Sequence, residues 1–123
     1  MAETNRPETI REAFVRRNPR SAELYPQFQV LFPSGGAGHD GYVAEPFPIS
    51  IARGQGARKW DVDGNRYVDY VMGHGSLLLG HSHPAIVEAV TAQMSKGTHL
   101  GASHETEIRW AQLVTKLAPS AGK

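Results

Sequence analysis

Histidine is the most chemically versatile residue type in this chain, which has six histidines and no cysteine. His81 and His83 stand one residue apart, and together with a third histidine they could bind zinc through ring nitrogens. Simpler interpretations compete with a metal site. His83 immediately precedes Pro84 and fits a helix start at which its ring caps or packs, and His81 fits a hydrogen-bonded interior imidazole. The absence of cysteine excludes disulfides and thiolate metal sites.

Oxygen-bearing side chains form a second cluster, with the spacing of the first ligands in a calcium-binding loop. Its members are Asp61, Asp63, Asn65 and Asp69. A calcium loop also requires a glycine and a final carboxylate, and this chain has Arg66 and Met72 at those places. The Asp63-Gly64 pair explains the cluster as a tight turn without a metal. No nucleophile elbow, phosphate loop or dinucleotide fingerprint is present, so spacing alone does not name a reaction.

Composition places the chain among globular proteins and limits its partners. Of its 123 residues, 40% are apolar and 20% charged, and the formal net charge is +1. So small a charge gives no electrostatic reason to expect a nucleic acid or an anionic membrane as a partner. No stretch approaches the roughly 20 apolar residues of a membrane-spanning helix, and the first residues lack the apolar core of a signal peptide. We therefore expect a cytoplasmic protein.

The Asp63-Gly64 turn lies between two short runs of alternating character, residues 57–60 and 66–71. An Asp-Gly pair between such runs is the strongest short-range signal for a β-hairpin. A third run, residues 49–53, precedes the hairpin after a glycine-containing connection. The sequence therefore predicts a three-stranded antiparallel meander.

The spacing of apolar residues predicts two helices before the meander. The first covers about residues 7–17, with Pro7 in its first turn. The second begins with Ser21 as its N-cap and ends at the glycine-rich segment that starts at Pro33. Pro26 should bend this second helix or delay its start.

Two more helices are predicted after the meander. One begins at Pro84 and stops at Gly97, and the other is capped by Ser103. Their apolar stripes contain Ile86, Val87, Val90 and Met94 in the first and Trp110, Leu113, Val114 and Leu117 in the second. Three short strands are too few to cover both stripes, so we expect exposed apolar faces, marginal stability and association. The pattern is typical of the front of a longer protein.

Residues 60–70, followed by Gly80-His81-Ser82-His83-Pro84, resemble the N-terminal signature of the class III, or ω-type, aminotransferases that depend on pyridoxal phosphate. Within that class the chain is most similar to the glutamate-1-semialdehyde 2,1-aminomutase branch. Further matches lie at Leu24-Tyr25, residues 33–36, residues 45–48, residues 53–57, Gly101-Ala102 and Glu105. The resemblance implies an incomplete α/β fold, the pyridoxal-phosphate-dependent transferase fold type I. It would consist here of N-terminal helices, the antiparallel meander and the first helices of the large domain.

The resemblance also implies a domain organisation. Residues 1–20 would form an N-terminal helical extension, residues 21–72 the N-terminal part of the small domain with the meander, and residues 73–123 the start of the large cofactor-binding domain. The family's phosphate-binding turn, its aspartate below the pyridine nitrogen and its catalytic lysine belong to later segments. None of the lysines matches that catalytic lysine by context, namely Lys59, Lys96, Lys116 and Lys123. No catalytic or cofactor-binding residue is therefore assigned. We expect pyridoxal 5'-phosphate to serve a full-length parent, and this chain alone to be inactive.

Three residues are implied on the substrate side of the site. His39 and Tyr42 lie where the aminomutase branch has a serine and an arginine that can bind a carboxylate, and His74 stands where it has a pocket tryptophan. Without the arginine a bidentate carboxylate contact is lost, which argues against glutamate-1-semialdehyde as the substrate. The alternative for all three is a loop position without ligand contact. Residues 101–103 resemble a segment near the dimer interface, which implies a homodimer for the parent.

These inferences predict a transaminase that acts on small molecules, with an amino acid or amine as donor and a keto acid or aldehyde as acceptor. One alternative is an aminomutase, which moves the amino group within a single molecule. Another is a non-catalytic interaction module built from the helices and the meander. An isolated zinc-binding module has the least support.

Overall fold

The computed structural model describes residues 6–32 and 45–120. It divides into two compact units, of which the first ends at His83 and the second begins at Pro84. The first unit contains helices α1 (Ile10–Arg17) and α2 (Pro19–Leu31) and strands β1 (Ile51–Gln55), β2 (Arg58–Asp61) and β3 (Arg66–Val68). The second contains helices α3 (Pro84–Met94) and α4 (Glu105–Leu117). None of these helices is long and apolar enough to cross a membrane.

The predicted antiparallel meander is confirmed. Its strand order is β1–β2–β3, and Trp60 pairs with Arg66 across the second turn. Gly64 in that turn has a φ of 85°, a conformation that glycine adopts far more readily than other residues. The guanidinium group of Arg53 in β1 lies 3.5 Å from the centre of the Trp60 ring, so a cation–π contact joins β1 to β2. β3 ends at Val68, earlier than predicted.

Helix α1 begins at Ile10 and not at Pro7, because Thr9 caps it. The hydroxyl of Thr9 accepts a hydrogen bond from the amide of Glu12 at 3.2 Å, and the Glu12 carboxylate accepts one from the Thr9 amide at 2.8 Å. This reciprocal capping box satisfies amides that the first helical turn would leave free. Phe14 then packs against Phe47 with ring centres 5.2 Å apart, and Phe47 has only 7% of its surface exposed.

Helix α2 corrects the prediction that Ser21 is its N-cap. The helix begins at Pro19, a residue suited to a first helical position, and Ser21 lies inside it with no surface exposed. Pro26 is within the helix and does not delay its start.

The N-terminus of α2 is capped by a residue from the β2–β3 turn. Asp63 accepts hydrogen bonds from the amides of Arg20 at 2.6 Å and Ser21 at 3.1 Å, and from the Ser21 hydroxyl at 2.9 Å. That hydroxyl in turn accepts a bond from the amide of Ser50 at 3.2 Å. The turn that closes the hairpin therefore also attaches α2 to the meander.

The cap of α4 is His104 and not the predicted Ser103. The Nδ1 atom of His104 accepts a hydrogen bond from the amide of Thr106 at 3.1 Å. The side-chain amide of Gln93 in α3 lies 3.1 Å from Nε2 of the same ring. One imidazole thus caps α4 and connects it to α3.

The apolar stripes of α3 and α4 are exposed, as the sequence predicts. Half or more of the surface is exposed at Ile86, Val87, Val90, Met94, Trp110, Leu113 and Leu117. Val114 is half-buried. Contiguous apolar surface of this kind favours association in water.

We expect the substitution Asp63→Ala to lower the free energy of unfolding by about 1–2 kcal/mol, because it removes a helix cap and the acceptor of a buried hydroxyl. Urea denaturation followed by circular dichroism measures this change. Glu88→Ala, which removes an exposed carboxylate from α3, is the control and should change stability by less than about 0.5 kcal/mol. Unchanged stability of Asp63→Ala would contradict the assigned cap.

We also expect the double substitution Leu113→Lys/Leu117→Lys to reduce self-association, because it interrupts the apolar stripe of α4 with charge. Light scattering over a range of protein concentrations gives the mean molecular mass. Gln112→Lys/Ser120→Lys adds the same charge outside the stripe and should associate more than the first variant. If the unsubstituted 123-residue chain stays monomeric at all concentrations, the expectation is refuted.

Candidate functional site

The structure describes one of the three residues predicted on the substrate side. His39 and Tyr42 lie outside the described residues, together with the Pro33-Ser34-Gly35-Gly36 segment. His74 is exposed and lies in a tight turn that follows β3. We call residues 72–75 the His74 turn and take it as the candidate site.

The backbone of the His74 turn is left-handed throughout. Its φ angles are 46° at Met72, 61° at Gly73, 57° at His74 and 84° at Gly75. This conformation costs a residue other than glycine about 1–2 kcal/mol. Two backbone hydrogen bonds of 3.0 Å close the turn, from Gly75 to the carbonyl of Val71 and from Leu77 to that of Met72. Strained backbone that the surrounding structure maintains is common at functional sites.

Asp69 attaches this turn to the meander. One oxygen of its buried carboxylate accepts hydrogen bonds from the amides of Val71 at 3.0 Å and Met72 at 3.2 Å, and lies 3.4 Å from the ammonium group of Lys59. The other oxygen is 2.7 Å from Nε2 of His81. The hydrogen bond from His81, together with the two amides and Lys59, holds the pKa of Asp69 far below its ordinary value. Because an ionised carboxylate only accepts, Nε2 of His81 carries the proton.

His81 is a hydrogen-bonded, half-buried imidazole, so of the two interpretations that its sequence context allowed, the hydrogen-bonded imidazole is the nearer. Its amide and carbonyl exchange two backbone hydrogen bonds of 2.9 Å with Gly56. A Cβ atom at Gly54 would stand 2.5 Å from the His81 ring, and one at Gly80 would stand 2.9 Å from the Cα atom of Gly56. Glycine at these places lets the segment around His81 lie directly against the β1–β2 connection.

Asp61, another member of the calcium-like cluster, is also held by hydrogen bonds within the protein. Only 2% of Asp61 is exposed, and its carboxylate accepts hydrogen bonds from the Tyr67 hydroxyl at 2.7 Å, the Asn65 amide at 2.7 Å and the Asn65 side chain at 2.9 Å. Burial alone would raise the pKa of Asp61, but these hydrogen bonds lower it below its ordinary value. Burial and the bond to Asp61 raise the pKa of Tyr67 to about 12. N–H and O–H donors therefore occupy the oxygens that could have bound calcium.

The geometry gives no support to the zinc interpretation. His81 is bonded to Asp69, and Nδ1 of His83 is buried without a hydrogen bond to any described residue, so that ring packs and does not cap. Within residues 6–32 and 45–120, no group of three or more histidine, aspartate or glutamate side chains is placed to bind a metal ion.

Sequence reasoning missed the Asp69–His81 pair. It considered Asp69 as a member of the calcium-like cluster, and it expected a hydrogen-bonded His81 without naming the partner. An aspartate just before a turn is a recognised signal for side-chain bonds to the following amides, and this signal could have identified the contacts to Val71 and Met72. No local rule indicates the bond to His81.

Grooves also lie elsewhere among the described residues. In the second unit, a groove of about 430 Å³ is lined by residues that include Leu100, His104 and Trp110. In the first unit, a groove of about 350 Å³ is lined by Ile10, Arg11, Phe14, Glu45 and Pro46. Neither groove has a lysine in its lining.

Comparison with known proteins identifies the class. Residues 41–123 match the sequence model of the family Aminotransferase class-III, and the chain belongs to this family. It is 60% identical over 73 residues to the glutamate-1-semialdehyde 2,1-aminomutase of Chloroflexus aurantiacus, a match that covers 59% of this chain and 16% of the relative. It is 46% identical over 109 residues to the enzyme of that name from Chloroflexus aggregans, which covers 81% of this chain and 25% of the relative.

Solved structures agree with this assignment and confirm the predicted fold for the part of it that this chain contains. The β-phenylalanine aminotransferase from Variovorax paradoxus superposes with a TM-score of 0.79 at 34% identity, over 89% of this chain and 25% of that one. An ω-transaminase from Sphaerobacter thermophilus gives a TM-score of 0.77 at 35% identity, over 86% of this chain and 24% of that one. The chain thus spans a quarter or less of the length of these relatives.

Pyridoxal phosphate is the cofactor of the family, since similar structures include a transaminase with PLP bound and an aminomutase from Pseudomonas aeruginosa in complex with PMP. The described residues do not by themselves fit this cofactor. Its chemistry requires a lysine amine in the site, whereas Lys59 is paired with Asp69 and neither groove contains a lysine.

We expect one of the four tyrosines to ionise only near pH 12, because the pKa of Tyr67 is raised to about 12. Since the folded protein favours the neutral phenol, this contribution to stability is complete below about pH 10 and is lost as the pH rises towards about 12. Ultraviolet absorbance during alkaline titration measures the ionisation. Tyr67→Phe should abolish the late phase and Tyr70→Phe, which removes an exposed tyrosine, should preserve it. A late phase that persists in Tyr67→Phe would contradict the assignment.

Proposed function

We propose that this chain contributes the N-terminal part of an enzyme that transfers an amino group from an amino acid or amine to a keto acid or aldehyde. The observation that carries the proposal is the class III family match over residues 41–123. In a complete cycle the donor leaves as a keto acid or aldehyde, and the carbonyl group of the acceptor becomes an amine. Pyridoxal phosphate, when bound, supplies this chemistry by carrying the amino group between the two half-reactions.

The substrate end of the site is assigned to His39, Tyr42 and His74. Support comes from the resemblance of the segments around these positions and from the exposure of His74 on a turn that is held in a strained conformation. A tyrosine and two histidines offer aromatic surface and single hydrogen bonds, whereas an arginine offers a paired contact to a carboxylate. We therefore favour a donor that has no carboxylate at this end of the site.

A glutamate-1-semialdehyde 2,1-aminomutase is the second candidate. Its support is the identity of 60% and 46% to curated relatives of that name. A homodimer, a cytoplasmic location and domain boundaries after residues 20 and 72 belong to the same proposal. The likeness of residues 101–103 to a dimer-interface segment supports the homodimer.

The test uses the full-length enzyme that carries this chain, purified with pyridoxal phosphate. Amino donors with and without a distal carboxylate are supplied with a keto acid acceptor, and the new amine and new carbonyl compound are quantified. Glutamate-1-semialdehyde is supplied alone in a parallel reaction. We expect transfer between two molecules. Isomerisation of glutamate-1-semialdehyde without transfer to an acceptor would establish the aminomutase instead. The absence of both reactions would refute the proposal.

A matched pair of variants tests the assigned substrate end. Tyr42→Arg should raise kcat/KM for donors with a distal carboxylate by about tenfold or more, because a bidentate ion pair replaces a single contact. Tyr70→Arg places the same side chain at an exposed position of the first unit and should leave this preference unchanged.

A further inference from the structure

The His74 turn depends on contacts from outside itself. Met72 and His74 are held in left-handed backbone that residues with side chains adopt reluctantly. The backbone bonds from Gly75 to Val71 and from Leu77 to Met72 close the turn. A contact from outside the turn would anchor it to the meander.

The Asp69 carboxylate is placed to be that anchor. It follows β3 directly and accepts hydrogen bonds from the amide of Met72, the first residue of the turn, and from that of Val71, the residue before it. Because its side chain is 5% exposed, water cannot readily replace either amide. Bonds to an ionised acceptor are also stronger than those to a neutral one.

His81 determines which way that carboxylate faces. Its Nε2 donates to the second oxygen at 2.7 Å, so the first oxygen is left directed at the two amides. The backbone of His81 pairs with Gly56 and its ring lies against Gly54, and both contacts restrict where the imidazole can lie. The position of the turn is thus transmitted from β1 through His81 to Asp69.

We propose that Asp69 is the positioning residue of the His74 turn and that His81 acts through it. Any effect on catalysis rests on the proposed function, in which His74 faces the substrate. The control of the turn by Asp69 does not rest on it, and the two are tested separately.

Asp61 is a natural control for Asp69. Both are buried carboxylates of the meander that accept several hydrogen bonds. The partners of Asp61 lie in and beside the β2–β3 turn, and no contact of Asp61 with the His74 turn is among its hydrogen bonds to described residues. Loss of either carboxylate should weaken the meander, but only loss of Asp69 should release the His74 turn.

The test is amide hydrogen exchange of the 123-residue chain, followed by NMR. The quantity measured is the exchange rate at Val71 and Met72 relative to that at Lys59 and Tyr67, which pair within the β2–β3 ladder. Asp69→Ala should raise this ratio about ten- to a hundredfold, as expected for loss of hydrogen bonds to a charged group. Asp61→Ala should not raise it, because weakening of the β2–β3 ladder speeds exchange at the reference amides instead. An unchanged ratio in Asp69→Ala would overturn the proposal.

Variants of His81 provide a second test that does not alter Asp69. His81→Ala should raise the exchange ratio at Val71 and Met72, although His81 touches neither amide. His81→Gln should restore it in part, because the glutamine amide places a donor near the position of Nε2. Equal exchange ratios in His81→Ala and in the unsubstituted chain would show that His81 does not act through Asp69.

Kinetics of the full-length enzyme separate the two proposals. Asp69→Asn should lower kcat/KM for the amino donor by about tenfold while the absorbance of the bound cofactor stays the same, since a positioning defect affects substrate contacts first. If exchange at the turn rises but kcat/KM is unchanged, the role of Asp69 in positioning stands and the substrate role of His74 is refuted.

Discussion

The buried charge of Asp69 is the constraint around which the first unit is arranged. A carboxylate on a side chain that is only 5% exposed is stable when donors replace the water it has lost. His81 provides the shortest contact, at 2.7 Å, and the amides of Val71 and Met72 and the ammonium group of Lys59 provide the others. These donors come from β2, from the His74 turn and from the segment beyond it. Because donors from all these segments bond to one carboxylate, their positions are fixed relative to one another.

Local signals in the sequence were sufficient to predict the secondary-structure elements. The Asp63-Gly64 turn led to the correct meander and strand order, because a short turn can only bring consecutive strands together in antiparallel orientation. Pro84 located the start of α3 for a similar reason, since its fixed φ suits a first helical position. β3 ends at Val68 because its partner β2 begins opposite, at Arg58, and the amides of Val71 and Met72 then bond to the Asp69 side chain.

The caps and the candidate site were harder to predict because their partners are distant in sequence. Ser21 has a side chain typical of an N-cap, and a local rule places it there. The acceptor that caps α2 is instead Asp63, 42 residues away. Asp69 and His81 are 12 residues apart, and their spacing does not distinguish this pair from two unrelated polar residues. Such contacts become visible only when the meander has brought the two segments together.

The segments that carry the family resemblance are the ones that make these contacts. Residues 60–70 contain Asp69, residues 80–84 contain His81, and Gly54 lies in a further matched stretch. Their residue types follow from packing and hydrogen bonding, because Gly54 has no room for a Cβ atom and a buried carboxylate needs a donor. None of these requirements depends on the substrate. The proposed departures from the aminomutase pattern lie at other positions, His39, Tyr42 and His74. An identity of 60% to aminomutases over 73 residues is therefore evidence of a shared scaffold, and it is compatible with a different amino donor.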